Sequence, residues 1–132
     1  MDIAALVLWV LTALGGFYLL GTWISKGGHK EVEGSRFPPP LIFGHFLLAA
    51  TGLVLWIIYV ATDEDSLAWI SFIILLVVAL LGFTMLARWI PTYRGRESAS
   101  GPAERHFPVA VVGGHGVLAA TTLVLVLLAA LD

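Results

Sequence analysis

Residues 37–55 read FPPPLIFGHFLLAATGLVL, and residues 107–125 read FPVAVVGGHGVLAATTLVL. Laid over each other at an offset of 70, the two segments agree at eleven of nineteen positions. Phe37, Pro38, Gly44 and His45 meet Phe107, Pro108, Gly114 and His115. Leu48, Ala49, Ala50, Thr51, Leu53, Val54 and Leu55 meet Leu118, Ala119, Ala120, Thr121, Leu123, Val124 and Leu125. Apolar segments agree by chance more often than polar ones, but Phe-Pro and Gly-His are not lipid-facing filler. Working outward, an offset of 66 sets Ala13, Leu14, Gly16, Phe17, Leu20, Trp23 and Ile24 on Ala79, Leu80, Gly82, Phe83, Leu86, Trp89 and Ile90. The difference of four between the offsets is the longer third loop. The chain therefore reads as two tandem helix-pair repeats, about 1–61 and about 67–131. Each repeat has two spans, an even number, so both enter a bilayer in the same sense. The pseudo-twofold axis relating them is then expected along the membrane normal, and helices two and four become mates that can face each other across the bundle centre.

Composition says why the helices must lie in lipid. The chain has 132 residues, 59% hydrophobic and only 12% charged, with mean hydropathy +0.96. Soluble domains run at about 45–50% apolar and about 25% charged. A soluble fold of this size could not hide the excess, and the length suits a single domain, 1–132. A span needs about 20 mainly apolar residues. Four stretches qualify, about Ile3–Ile24, Pro40–Ala61, Leu67–Ile90 and Pro108–Leu131. The expected fold is an all-α membrane protein, a bundle of four transmembrane helices. Gly27, Gly28, Gly34 and Pro38-Pro39-Pro40 break the first loop, a short acidic turn at Thr62 to Ser66 the second, and a Gly-, Ser-, Arg- and Glu-rich run from Pro91 to Phe107 the third. No Lys or Arg precedes the first apolar run, as a cleaved secretory signal would require, so that run reads as a retained helix.

Charge orients the bundle. All seven basic residues fall at one end: Lys26, Lys30 and Arg36 in loop one, and Arg88, Arg94, Arg96 and Arg105 in or beside loop three. Asp2, Asp63, Glu64, Asp65 and Asp132 mark the other end, which has no basic residue. The positive-inside rule places loops one and three in the cytoplasm and both termini outside. Trp23 and Trp89 are expected in the cytoplasmic aromatic belt, and Trp56 and Trp69 toward the opposite one.

Several chemistries are excluded. No cysteine is present, which removes disulfides, thiolate metal sites, iron–sulfur clusters and cysteine nucleophiles. There is no basic patch interleaved with aromatics for nucleic acid. No nucleophile or acid–base pair stands out, so hydrolytic enzymology is not expected and any activity would be redox.

Ionisable groups inside the hydrocarbon cost about 2.5–3.5 kcal/mol at a helix centre and call for a functional hypothesis. The spans hold His45 and His115, with Arg88 near a boundary. The repeat sets both histidines at one depth, roughly 7–11 Å in from the cytoplasmic helix ends. Gly44 and Gly114 precede them, and Ala49 and Ala119 follow one turn on. Such small residues leave room for something broad and flat, or for another helix. Two imidazoles on facing helices suit a heme iron, which takes only two axial ligands from protein. A bare zinc would need three or four protein ligands, and copper a Met- or Cys-rich path. The metal ligands are therefore expected to be His45 and His115. Arg36, Arg105 and His106 are the expected partners of heme propionates, and Arg88 more simply snorkels to headgroups. A structural alternative remains beside this one: Gly-His pairs pack helices closely, with the imidazole bonding across to a Thr or a carbonyl.

Four helices with histidines facing across the bundle resemble the small four-helix b-type cytochromes of bacterial membranes. The likeness covers most of the chain in architecture, and its motif is the paired histidines alone. It implies heme b, electron transport, a multi-pass place in the bacterial plasma membrane, and quinone or a redox subunit as partner, with a homo-oligomer compatible. Many such cytochromes hold a second heme in the other leaflet, and this chain has no histidines there to match. Heme storage, sensing or movement is an equal use of one such site. The rivals are a cofactor-free accessory subunit and a small duplicated transporter, although the spans lack the acidic residue that ion coupling usually needs.

Overall fold

The computed structural model describes residues 1–30, 37–95 and 102–132. Four long helices account for most of them: α1 (Asp2–Ser25), α2 (Pro39–Thr62), α3 (Asp65–Arg94) and α4 (Val109–Leu131), with a single 3-10 turn at Ala103–His106. All four are long and apolar enough to cross a membrane. A helix satisfies every backbone donor and acceptor within its own segment, which hydrocarbon demands.

The ends follow from local chemistry. α2 begins with Pro39 and Pro40 in its first turn, where a missing N–H costs nothing. It stops at Asp63, which takes the left-handed conformation (φ 58°) and donates its N–H to the Tyr59 carbonyl at 2.7 Å. α1 closes through Gly27 at φ 80°, and the Gly28 N–H reaches the Trp23 carbonyl at 2.9 Å. One boundary departs from expectation. α3 continues past Ile90, through Pro91 to Arg94. A proline inside a helix forfeits one hydrogen bond, tolerable in the last turn, where Pro91 stands. Trp89 stacked on Tyr93 at 5.0 Å helps hold this last turn.

α1 packs chiefly on α4 and α2 chiefly on α3, with α3 on α4 next and α1 on α2 the lightest interface. α2 and α4 therefore lie on a diagonal. Two buried cores fill the bundle. At the acidic end, Ala5, Trp9, Trp56, Tyr59, Ala68, Val126 and Ala129 come together with Leu75 and Val78. At the basic end, Trp23, Ile42 and Trp89 pack with the loop residues Phe37, Ala103 and Phe107. The tryptophans differ in burial. Trp23, Trp56 and Trp89 are buried, and of the four only Trp69 has an open face. Two of the buried indoles are tied down by backbone: Trp56 Nε1 donates to the Asp2 carbonyl at 3.2 Å, and Trp89 Nε1 to the Glu104 carbonyl at 3.1 Å. An indole N–H inside a bundle needs such an acceptor, and the chain supplies one at each end.

Candidate functional site

His45 and His115 reach toward each other from the diagonal helices. Their ring centroids lie 6.4 Å apart with the planes at 65°, and both side chains are half-buried. Each imidazole also grips the helix that its own helix packs against most closely. His45 Nδ1 lies 3.0 Å from the Val78 carbonyl oxygen on α3. His115 Nδ1 lies 2.8 Å from the Thr12 carbonyl oxygen on α1. A carbonyl can only accept, so in both rings Nδ1 carries the proton and donates it. In the neutral ring, Nε2 is then the atom with a lone pair. Among the described residues, neither Nε2 has a hydrogen-bond partner.

Glycine makes these approaches feasible, though not the glycines beside the histidines. A Cβ on Gly16 would come 3.0 Å from His115 Cε1, and one on Gly82 would come 3.3 Å from His45 Cε1. A Cβ on Gly15 would lie along the same contact, 3.6 Å from His115 Cβ. Gly16 and Gly82 each stand four residues after the accepting carbonyl, one turn on, so the bare backbone lets the imidazole lie down on the helix. Thr12 with Val78 and Gly16 with Gly82 are pairs at the offset of 66, as His45 and His115 are at 70. The two contacts are therefore like for like.

The other expected site residues are dispersed. Gly44 is half-buried and Gly114 exposed, and a Cβ on either would meet nothing within 4 Å. Ala49 packs against the acidic-end core, and Ala119 is half-buried. Arg105 and His106 belong to the 3-10 turn, with Arg105 half-buried and His106 exposed. The His106 imidazole is held below its ordinary pKa by partial desolvation and by the Arg105 and Lys26 charges. Arg36 falls outside the described residues. His29 is exposed, its ring 6.3 Å from Trp23.

Closure of the site depends on aromatic residues that sequence reasoning had not assigned. Phe37 and Phe107, mates at the offset of 70, meet at 5.9 Å above the histidines at the basic end. Phe17 on α1 meets Phe46 on α2 edge-on at 5.6 Å. On the acidic side of His115, the Thr12 and Thr122 hydroxyls lie 3.3 Å apart. The Phe-Pro match was a visible signal for the first pair, whereas nothing in the sequence marks a carbonyl of Thr12 or Val78 as an acceptor.

No group of three or more His, Asp or Glu side chains that could hold a bare metal ion occurs among the described residues. Comparison of the chain with protein-family models, with curated proteins and with solved structures finds no match.

Proposed function

We propose that this chain is an integral membrane protein that holds one b-type heme between His45 and His115 and serves electron transfer or heme handling. One observation carries the proposal: both rings fix Nδ1 on a carbonyl and keep a free Nε2 lone pair, with centroids 6.4 Å apart. His45 and His115 would hold the iron through these two Nε2 atoms, and ring centroids 6.4 Å apart are compatible with one metal ion shared between them. Metal-ligating histidines commonly donate their second N–H to a carbonyl, which fixes tautomer and orientation. The donor set therefore fits a heme. Bound there, the group would supply a one-electron iron couple. The chain's own part is to orient two lone pairs and to hold Nδ1 protonated at both rings.

The reading extends to the frame. The repeats are related by a pseudo-twofold axis along the membrane normal, which the matched Thr12 and Val78 contacts support. Basic loops face the cytoplasm of a bacterial plasma membrane, so the histidines occupy the cytoplasmic leaflet. Quinone or a redox subunit is the electron partner. A second reading has its own observation: an Nδ1–H bond onto a neighbouring helix is also what a packing device makes, and a cofactor-free subunit would use the histidines so.

The test is colour. Protein made with ample heme should be red, six-coordinate and low-spin. His45→Ala and His115→Ala should each lose heme or leave it high-spin, whereas His29→Ala should do neither. A folded, monodisperse protein that stays colourless defeats the cytochrome reading in favour of the packing subunit.

A further inference from the structure

We infer that a porphyrin reaches the histidine pair sideways out of the lipid, through the α3/α4 flank at Phe83 and Gly116, because the matching α1/α2 flank is shut by Phe17 and Phe46. The inference rests on the heme reading above.

Both ends of the bundle are closed to a flat ring. The acidic end is filled by Trp9, Trp56 and Tyr59, with Trp9 and Trp56 centroids 6.4 Å apart and Trp56 and Tyr59 4.7 Å apart. The basic end is stoppered by Phe37 on Phe107, over the buried indoles of Trp23 and Trp89. Only the flanks remain, and they differ. At the α1/α2 flank, Phe17 follows Gly16, which lies on His115, and Phe46 follows His45. Their rings meet at 5.6 Å and 66°, a favoured edge-to-face geometry that ties α1 to α2 beside His45, with Phe17 still 54% exposed on its outer side.

The α3/α4 flank has the same plan without the door. The mate of Phe17 is Phe83 and the mate of Phe46 is Gly116. Phe83 is 64% exposed and makes no ring contact among the described residues. Gly116 is exposed, and a Cβ there would meet nothing within 4 Å, as is true of Gly113 and Gly114. α3 and α4 share the cores to either side of this level, with Met85 and Val112 in one and Leu75 and Val126 in the other. Between them, the duplicated sequence has exchanged a benzyl group for hydrogen next to His115. Porphyrin is planar and largely apolar and partitions into bilayers, so an uncovered flank at mid-leaflet suits it better than a polar loop.

The experiment follows heme uptake, not electron transfer. Protein prepared without heme is placed in phosphatidylcholine vesicles, heme is added, and the growth of the Soret band is timed. Gly116→Phe rebuilds the door opposite Phe83 and should slow uptake about two- to tenfold, the range expected for parting one aromatic pair. Phe46→Gly opens the second flank and should speed uptake by a similar factor. The final spectrum should be unchanged in both, and Gly116→Ala should load like the parent. A red parent whose uptake is indifferent to both substitutions overturns the inference alone. Faster uptake in Phe37→Ala, with Phe46→Gly unchanged, overturns it in favour of the capped end. A parent that stays colourless overturns the heme reading and this inference together. Should Gly116→Phe fail to fold, the Phe46→Gly rate decides by itself.

Discussion

The two ends of the bundle are sealed by different means. At the acidic end every buried residue of the core comes from a helix, and the four helices supply at least two each: Ala5 and Trp9, Trp56 and Tyr59, Ala68 with Leu75 and Val78, Val126 and Ala129. At the basic end, half of the buried cluster, Phe37, Ala103 and Phe107, lies outside the long helices. Interhelical packing in lipid gains little from the hydrophobic effect and depends on close van der Waals fit. The end made only of helix side chains is then the anchor of the fold. The end closed by loop residues can rearrange without the helices parting, and the histidines sit between the two.

The largest effect that would break this contrast is at Trp56, which is fully buried. Trp56→Ala removes its packing on Trp9 and Tyr59 and its bond to the Asp2 carbonyl, and should cost about 3–5 kcal/mol. Reversible unfolding in mixed detergent micelles measures this. Trp23→Ala, also at a fully buried indole, should cost less, about 1–3 kcal/mol, because the loop residues over it can collapse into the space. Equal losses at the two positions would erase the distinction between anchor and stopper.

Between the ends, glycine substitutions sharpen the picture. Gly16→Leu and Gly82→Leu should push the imidazoles of His115 and His45 off their carbonyls and cut heme retention, with the bundle still inserting. Gly114→Leu, projecting into open space, should leave retention near the parent value. Titrating bound heme by absorbance separates these outcomes. Smallest is a pH effect confined to the basic end. His106 has its folded pKa below the unfolded value of about 6.5, so the unfolded loop binds the proton more readily. Its contribution to stability is full above about pH 6.5 and is lost as the pH falls from there through the lowered folded value. Hydrogen-exchange protection factors in residues 103–107, which divide out the intrinsic pH dependence of exchange, should fall as the pH drops below about 6.5, His106→Asn should flatten that change, and the acidic end should not respond.

How legible this was in the sequence varies with the physics involved. The four spans were plain because apolar length and the Gly, Pro and acidic breaks report directly on the bilayer. The run of α3 past Pro91 was not, since a proline in the last turn of a helix loses only one bond. The histidine pair was visible through the matched Gly-His segments, whereas the glycines on which the rings lie were not. Gly44 and Gly114 adjoin the histidines in sequence, while Gly16 and Gly82, on the helices packed against them, lie under the rings. Adjacency along a helix points residues to different faces, and only the assembled bundle chooses which helix a face meets. The inward packing of Trp23, Trp56 and Trp89 was hidden for a related reason: composition cannot tell a lipid-facing indole from one turned inward to a carbonyl.

The histidine contacts also have a consequence for biosynthesis. His45 lies in the first half of the chain, but its carbonyl partner, Val78, lies in the second; His115 lies in the second half and its partner, Thr12, in the first. The tight helix pairs are crossed in the same way, α1 with α4 and α2 with α3. A ribosome delivering α1 and α2 to the membrane therefore releases a hairpin whose main surfaces and whose histidine are all still waiting. Neither half is a finished object, and each completes the other.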